Sequence, residues 1–327
     1  MMRWNNLLVL FFISSFTLIH AQAIELSVQK GHSGNINVVV FNSDGRLLAS
    51  AGSDNQIILW HVPTGKETAS FVHLSTQLIT DLKFIEDDSY LLVRYEDESL
   101  VRWNIITSQQ EPGLPEDSKV TFRSTKIVYT PDSSVQIYTD RFYLRKRNVR
   151  TGKILFSKVP VDISKVFTSI AVSQKNNKIL AANEDGRVYT YNLTTGKSDK
   201  MLEGHYASAN SICLSPDETI AATASSDRSI ILWDVKSLQQ LKRLYAYAFR
   251  FETLSFDHSG FQLAVGDELG RGRVVDLASS RVKVSTFQWH DQKVGAIAFS
   301  PDDKIIYTGG YDDRIKSFDN QTGNQNC

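Results

Sequence analysis

Apolar and polar residues alternate in four short runs along residues 201–244, and turn-forming residues separate the runs. The runs cover residues 211–214, 220–224, 230–234 and 238–244, with turns at Ser215-Pro216-Asp217 and Ser226-Asp227-Arg228. Short runs of this kind between Ser, Pro and Asp turns are typical of β-strands. The stretch therefore predicts a four-stranded antiparallel sheet, which needs further sheets beside it to bury its faces.

Four polar or half-polar side chains occupy positions that such a sheet would bury. Thr223, Asp227 and Trp233 follow His205 by 18, 22 and 28 residues. Buried polar groups are hydrogen-bonded in folded proteins, so we interpret the four residues as one network. Two other stretches repeat these spacings, namely His32, Ser50, Asp54 and Trp60, and His290, Thr308, Asp312 and Phe318, whose ring cannot donate a hydrogen bond.

The pattern returns along nearly the whole chain, and the ends of its units lie 42 to 44 residues apart. These ends are Trp60, Trp103, Arg147, Tyr191, Trp233, Val275 and Phe318. With Gly-His at the start of a unit and Trp-Asp at its end, the units resemble the WD repeat of β-propeller proteins. The resemblance implies an all-β fold, a single seven-bladed β-propeller of four-stranded antiparallel blades.

Several units depart from the pattern, which predicts unequal networks. Unit 2 keeps His73, Asp97 and Trp103 but has Val93 where the hydroxyl would be, so we expect a partial network there. Unit 4 keeps Asp185 but has Ala181 and Tyr191 at the hydroxyl and Trp positions, and unit 6 has Leu269 and Val275 at the Asp and Trp positions. We expect units 4 and 6 to be held mainly by apolar packing.

The first 23 residues have a composition of their own. Arg3 precedes residues 7–19, which are apolar except for two serines and a threonine, and Ala21-Gln22-Ala23 follows. This pattern predicts a secretory signal peptide cleaved after Ala23, because the apolar run is too short to cross a bilayer. We therefore expect a signal at residues 1–23 and the propeller at 24–327, in an exported protein, periplasmic or secreted, with no membrane span after cleavage.

Residues 24–29 alternate like the strand that precedes each later Gly-His, whereas the seventh unit ends without a fourth run. An unpaired strand edge is a liability in a sheet. We therefore predict that this N-terminal strand pairs with the last blade and closes the ring.

Composition and motifs narrow the function classes. Acidic and basic residues balance at 36 each, which gives no bias toward nucleic acid. Most histidines fall at one repeated position, Cys213 lies in an apolar run, and no nucleophile elbow, phosphate loop or zinc spacing occurs. We predict a non-catalytic protein without cofactor or metal; the rival hypothesis is a hydrolase or lyase with its site in the central channel. The basic run at 141–150 could bind anions, but we favour a solvated strand.

Expectations about partner binding come from the resemblance. WD propellers commonly bind partners on their narrower face, where three positions per blade point: two alternate residues at the start of the first strand and the residue before the Asp of the second turn. The candidate partner-binding residues at these positions are Arg123, Arg250, Tyr311, Lys293, Leu78 and Val166. Arg and Tyr are the types that most often anchor interfaces. We expect a scaffold that binds a protein or peptide, in a monomeric propeller; the alternative is that these residues only solvate the rim.

Overall fold

The structure, a computed structural model, describes residues 31–72, 77–95, 99–112, 124–129, 135–140, 142–148, 151–159, 164–245, 249–278, 283–322 and 324–325. Every regular element in these residues is a β-strand, and the strands form seven antiparallel sheets. The predicted all-β, seven-bladed propeller is confirmed.

The strands of each blade follow one another in chain order across the sheet. Blades 1 to 4 contain β1–β4 (Ile36–Phe41, Leu47–Gly52, Gln56–His61, Lys66–Val72), β5–β8 (Ile79–Ile85, Tyr90–Tyr95, Leu100–Asn104, Gln110–Pro112), β9–β12 (Ser124–Tyr129, Val135–Asp140, Tyr143–Asn148, Ile154–Lys158) and β13–β16 (Phe167–Ser173, Lys178–Asn183, Val188–Asn192, Ser198–Leu202). Blades 5 to 7 contain β17–β20 (Ala209–Leu214, Ile220–Ser225, Ser229–Asp234, Gln239–Tyr245), β21–β24 (Phe251–Phe256, Gln262–Asp267, Arg271–Asp276, Lys283–Gln288) and β25–β27 (Val294–Phe299, Ile305–Gly310, Ile315–Asp319).

The first strands of the blades line the centre of the ring, since each contacts the first strand of the next blade and β25 contacts β1. Antiparallel order puts the loop before each first strand at the same end as the turn between the second and third strands. We call this end the upper face. The other two turns of each blade lie at the lower face.

The core is divided among the interfaces between blades. The described residues form seven apolar clusters, one at each interface around the ring. Trp233 packs with Leu180 between blades 4 and 5, and Ile36 packs with Tyr307 between blades 7 and 1. The last of these clusters closes the ring within one chain.

The interface between blades 2 and 3 combines a small apolar cluster with two buried arginines. The guanidinium groups of Arg94 and Arg147 lie 5.7 and 5.4 Å from the centre of the Tyr138 ring. Arg147 also donates to the Gln136 side chain, and neighbouring Lys146 donates to the Leu193 carbonyl at 2.8 Å. Two basic residues of the run at 141–150 are therefore engaged within the protein, so the interpretation of that run as a solvated strand is wrong for them.

Blade 7 contains three strands in the described part of the chain. At the outer edge of β27, Gln325 forms an isolated antiparallel bridge with Phe318. Residues 24–29, predicted to complete this blade, lie outside the described residues, and their pairing stays a prediction. Among the described residues, no helix is long and apolar enough to cross a membrane.

Candidate partner-binding face

The polar residues at the repeated spacings meet at the upper end of blades 1, 5 and 7. In blade 5, His205 Nδ1 lies 3.0 Å from Asp227, His205 Nε2 lies 2.7 Å from the Thr223 hydroxyl, and Trp233 Nε1 donates to that hydroxyl at 3.0 Å. The hydroxyl accepts from the indole and can donate to Nε2 when Nδ1 donates to the carboxylate. The four predicted residues therefore form one satisfied chain of hydrogen bonds.

Blade 1 repeats this arrangement. His32 lies 3.1 Å from Asp54 and 2.8 Å from the Ser50 hydroxyl, which accepts from Trp60 Nε1 at 2.8 Å. The carboxylate also accepts the backbone N–H of Ser33 at 2.7 Å. The network thus ties the loop before the first strand to the turn between the second and third strands.

In blade 7, His290 lies 2.7 Å from both Asp312 and Thr308, and the place of the tryptophan is taken by Phe318, as predicted. An unpredicted tryptophan compensates for the smaller ring. Trp289 occupies the position of the glycine in Gly-His, is fully buried, and stacks on Phe318 with ring centroids 5.7 Å apart. Gly272 of blade 6 leaves it room, because a side chain there would overlap the indole.

The network of blade 2 is only partly described. His73 and Asp97 lie outside the described residues. Trp103 is buried and stacks on Phe71, with ring centroids 4.9 Å apart. Its Nε1 has no hydrogen-bond partner among the described residues, as expected from Val93 at the hydroxyl position.

Blades 4 and 6 contain polar contacts that the sequence did not predict. In blade 4 the Tyr189 hydroxyl donates to Asp185 at 2.8 Å. In blade 6 the buried Arg273 donates to the buried Asp267 at 3.0 Å. Asp185 stands at the repeated Asp position, whereas Tyr189, Asp267 and Arg273 lie outside the repeated spacing. Large apolar clusters flank both blades, and these polar pairs add to that packing.

Hydrogen bonding keeps the network carboxylates ionised. Burial raises the pKa of Asp227, but hydrogen bonds from His205, Ser229 and the Tyr206 N–H outweigh burial and hold the pKa well below its ordinary value. The same competition between burial and the hydrogen bond from His290 lowers the pKa of Asp312 to about 2. These blades are therefore stabilised by charged carboxylates.

We expect Asp312→Asn to destabilise the protein at neutral pH more than in acid. Because the pKa of Asp312 is lowered from 3.8 to about 2 on folding, its contribution is complete above about pH 4 and is lost as the pH falls through 2. The shift corresponds to about 2 kcal/mol. Chemical denaturation of both proteins at pH 6, 4 and 2.5 measures the difference, and Asp313→Asn at an exposed neighbour is the control. A difference that stays constant down to pH 2.5 would contradict the prediction.

The three upper-face positions of each blade divide into two groups. The first and third positions lie side by side, because the third residue donates its N–H to the carbonyl of the first at 2.9 to 3.1 Å. The described pairs are Ser53 with Asn35, Glu184 with Val166, Ser226 with Ser208, Glu268 with Arg250, and Tyr311 with Lys293. The expectation that their side chains contact a partner stays a prediction.

The second position has a different role. It is the extra residue of a bulge that recurs in the first strands of blades 1, 2, 4, 5, 6 and 7, and a bulge re-aims its side chain. Thr168 donates to the carbonyl of Ala209, and Asn210 donates to that of Phe251 at 2.7 Å. These hydrogen bonds join neighbouring blades, so the Thr168 and Asn210 side chains stabilise the contact between blades.

Aromatic and arginine side chains concentrate on the upper face of blades 5 to 7, which we call the upper arc. Tyr206 is 85% exposed and lies 4.9 Å from the Arg243 guanidinium. The Arg250 side chain is 62% exposed, and Leu269 is 44% exposed in the adjoining turn. In blade 7, Lys293 lies 5.2 Å from the Tyr311 ring.

Tyr206 and Leu269 were not among the partner-binding residues predicted from the sequence. Tyr206 directly follows a network histidine, and Leu269 stands at an Asp position; large apolar residues at such turn positions were the available signal. Of the six candidates, Lys293 and Tyr311 lie together on blade 7, and Arg250 lies on neighbouring blade 6, beside Glu268. Leu78 and Val166 lie apart from them on blades 2 and 4, and Arg123 lies outside the described residues. Within the described ranges, no group of three or more His, Cys, Asp or Glu side chains could hold a metal ion.

The family model described as "WD domain, G-beta repeat" matches residues 24–61, 196–234 and 281–319. These segments include most of blades 1, 5 and 7, whose networks keep the predicted histidine, hydroxyl and aspartate. The predicted resemblance to the WD-repeat β-propeller family is therefore confirmed.

Similar proteins include eukaryotic translation initiation factor 3 subunit I from Rattus norvegicus and from Homo sapiens. Each is 25% identical over 324 residues, which cover 89% of this chain and 96% of the relative. The transcriptional corepressor LEUNIG_HOMOLOG of Arabidopsis thaliana is 22% identical over 299 residues, which cover 89% of this chain and 36% of the corepressor.

These relatives correct the predicted compartment. Translation initiation and transcriptional repression take place inside the cell, so the prediction of an exported, periplasmic or secreted protein is wrong. That prediction rested on Arg3, a short apolar run and the small residues of Ala21-Gln22-Ala23, a pattern of composition that by itself does not establish export. Residues 1–23 lie outside the described residues.

Proposed function

We propose that the protein is a non-catalytic scaffold that binds a protein or peptide partner through the upper arc. The observation that carries the proposal is the exposure of Tyr206, Arg250 and Leu269 on neighbouring blades. Tyr and Arg dominate the binding energy of protein interfaces, usually beside apolar groups that exclude water. The upper arc offers that combination.

The framework beneath the upper arc is ordered before a partner arrives. The Tyr206 N–H donates to Asp227 at 2.9 Å, so the blade 5 network holds the loop that carries the ring. Arg243, close to the same ring, has a side chain only 9% exposed. Fixed side chains lose less conformational entropy on binding, which favours affinity.

The charges of the upper arc favour a protein or peptide over nucleic acid. Lys293 pairs with Glu252 at 2.6 Å, Arg314 with Asp291 at 3.6 Å, and Arg250 lies 4.0 Å from Glu268. Nucleic-acid sites instead carry an excess of positive charge along one face. A partner with mixed charges and one or two apolar side chains fits this surface.

The printed names of the relatives support a role within assemblies, since one is a subunit of an initiation factor and the other is a corepressor. Among the described residues, no observation favours the alternative of a hydrolase or lyase in the central channel. The ring closes within one chain, and a monomer is part of this proposal.

Photo-crosslinking from the upper arc tests the proposal. A benzoylphenylalanine placed at Tyr206 or Tyr311 should capture the same partner in cells, whereas one at Phe261, 60% exposed beside a lower-face turn, should not. Once purified, that partner should bind Arg250→Ala and Tyr206→Ala at least about fivefold more weakly than wild type, as for interface anchors worth about 1 kcal/mol or more.

Lys236→Ala and Leu241→Ala are the controls for these two variants, since both residues are exposed and lie outside the upper arc. Titration calorimetry gives the affinities. Equal affinities for all four variants, or capture only from Phe261, would place the binding site elsewhere and refute the proposal.

A further inference from the structure

A concavity of about 430 Å³ lies at the lower mouth of the central channel. The lower ends of three neighbouring first strands, β21, β25 and β1, line it together with the turns that follow them. Its apolar lining includes Val39, Phe41 and Ile297, all half-buried, and Pro301. The concavity is wide enough for one large apolar side chain from outside.

Two acidic side chains are held at the rim by hydrogen bonds from residues that line the concavity. Asp303 lies 2.7 Å from the His258 ring and accepts the His258 N–H at 3.0 Å. Asp88 accepts the Ser43 N–H at 2.9 Å and also bonds the Ser43 hydroxyl. Each bond crosses from one blade to the next, so the positions of both carboxylates are fixed by the ring.

Two further carboxylates are exposed to solvent. Asp44 lies in the turn between β1 and β2, beside Ser43, and Asp302 lies in the turn between β25 and β26, beside Asp303. The side chains of Asp44 and Asp302 are each 56% exposed. Their basic neighbours Arg46 and Lys304 are 75% and 79% exposed, and ion pairs this exposed are weak and readily exchanged. The described rim therefore has more acidic than basic side chains around an apolar centre.

We propose that this lower mouth binds a partner segment in which one large apolar side chain is flanked by lysines or arginines. The apolar residue fills the concavity between Val39, Phe41 and Ile297, and the basic residues lie over the rim carboxylates. Charge complementarity selects this occupant over an apolar segment with acidic flanks, which the rim would repel. The lower mouth is a second surface, on the opposite face from the upper arc, and it does not depend on partner binding there.

A short peptide tests the lower mouth directly. The probe is acetyl-Arg-Lys-Trp-Lys-Arg-amide with a fluorescein label, measured by fluorescence anisotropy with the full chain at low salt. Replacing its Trp by Ala should weaken binding at least about fivefold, and replacing its four basic residues by Glu should abolish binding. The double variant Asp44→Lys with Asp302→Lys should weaken binding of the basic peptide at least about tenfold, since it reverses two exposed charges. It also removes the hydrogen bonds that Asp44 accepts from the Arg46 N–H and that Asp302 accepts from the Ser300 hydroxyl and the Lys304 N–H. Circular dichroism should therefore show an unchanged fold, and Asp44→Asn with Asp302→Asn, which keeps an acceptor in each turn, should weaken binding in the same direction.

The control is Glu67→Lys with Asp199→Lys, the same charge change on the outer strands β4 and β16, which should leave affinity within about twofold of wild type. Equal affinities of the Trp and Ala peptides would show that the protein binds the peptide by general charge attraction alone, which would overturn the proposal. Equal weakening by the two double variants would overturn it as well. If the peptide does not bind and light scattering shows a dimer that Asp44→Lys with Asp302→Lys dissociates, the lower mouth takes a second copy of the chain and the proposal is wrong.

Discussion

Replacing Trp289 by glycine is expected to lower the free energy of unfolding by about 3–5 kcal/mol, because it empties a fully buried indole site between blades 6 and 7. Phe318→Trp alone is expected to cost about 1–3 kcal/mol, since the stacked indole of Trp289 leaves no room for a larger ring. The triple variant Trp289→Gly, Phe318→Trp and Gly272→Val should lose far less stability than the sum of the losses from the three single changes.

The reason is that blades 5 and 7 fill the same space with different residues at three equivalent positions. Blade 5 combines Val188 of the preceding blade with Gly204 and Trp233, and a side chain at Gly204 would lie 2.8 to 2.9 Å from Ile231 and Trp233. At the same three positions blade 7 has Gly272, Trp289 and Phe318. Each blade has one indole in this space. In blade 5 the indole belongs to Trp233 of the third strand, and in blade 7 it belongs to Trp289 before the first strand. In the triple variant the new indole at position 318 can also donate to Thr308, as Trp233 donates to Thr223 at 3.0 Å.

Urea denaturation followed by far-ultraviolet circular dichroism measures the single, double and triple variants. Phe261→Trp, at a ring 60% exposed, is the control for the larger side chain and should change stability by less than about 0.5 kcal/mol. The interaction energy within the triple should reach at least about 2 kcal/mol. Strict additivity of the three changes would show that the positions are not exchangeable.

Asp267→Ser is expected to cost about 3–5 kcal/mol, because it leaves the Arg273 guanidinium buried without its carboxylate. The two side chains are 0% and 3% exposed and 3.0 Å apart. Blade 5 has Ser225 and Ile231 at the same two positions. The double variant Asp267→Ser with Arg273→Ile should therefore recover part of the loss, since it removes the unpaired buried charge. Recovery should be incomplete, because Ser and Ile are smaller than Asp and Arg and leave a cavity.

The same denaturation series tests this second exchange, with Glu203→Ser as the control. Glu203 pairs with Arg187 at 3.2 Å, but the two side chains are 66% and 39% exposed, so its loss should cost less than about 1 kcal/mol. If Asp267→Ser and Glu203→Ser are equally mild, the buried pair in blade 6 does not stabilise the fold. A double variant no more stable than Asp267→Ser would show that Ser and Ile cannot pack in blade 6 as they do in blade 5.

The repeating unit, the number of blades and the polar network within a blade could all be predicted from the amino-acid sequence. This was possible because His205, Thr223, Asp227 and Trp233 lie on one blade, where strand register turns a fixed spacing into a fixed contact. The identical spacing from His32 and His290 made the assignment specific, and the hydrogen bonds at all three places confirm it.

The contacts between blades, by contrast, could be identified only from the packing of the folded sheets. The place of Trp289 depends on Gly272 of the preceding blade, and the place of Tyr138 depends on Arg94 and Arg147 from two blades. The bulges likewise turn Thr168 and Asn210 from open positions into links with the next blade. Such contacts join different repeats through side chains that vary from unit to unit. A periodic pattern records what the units share, whereas packing at each interface depends on the volumes and charges in which neighbouring units differ.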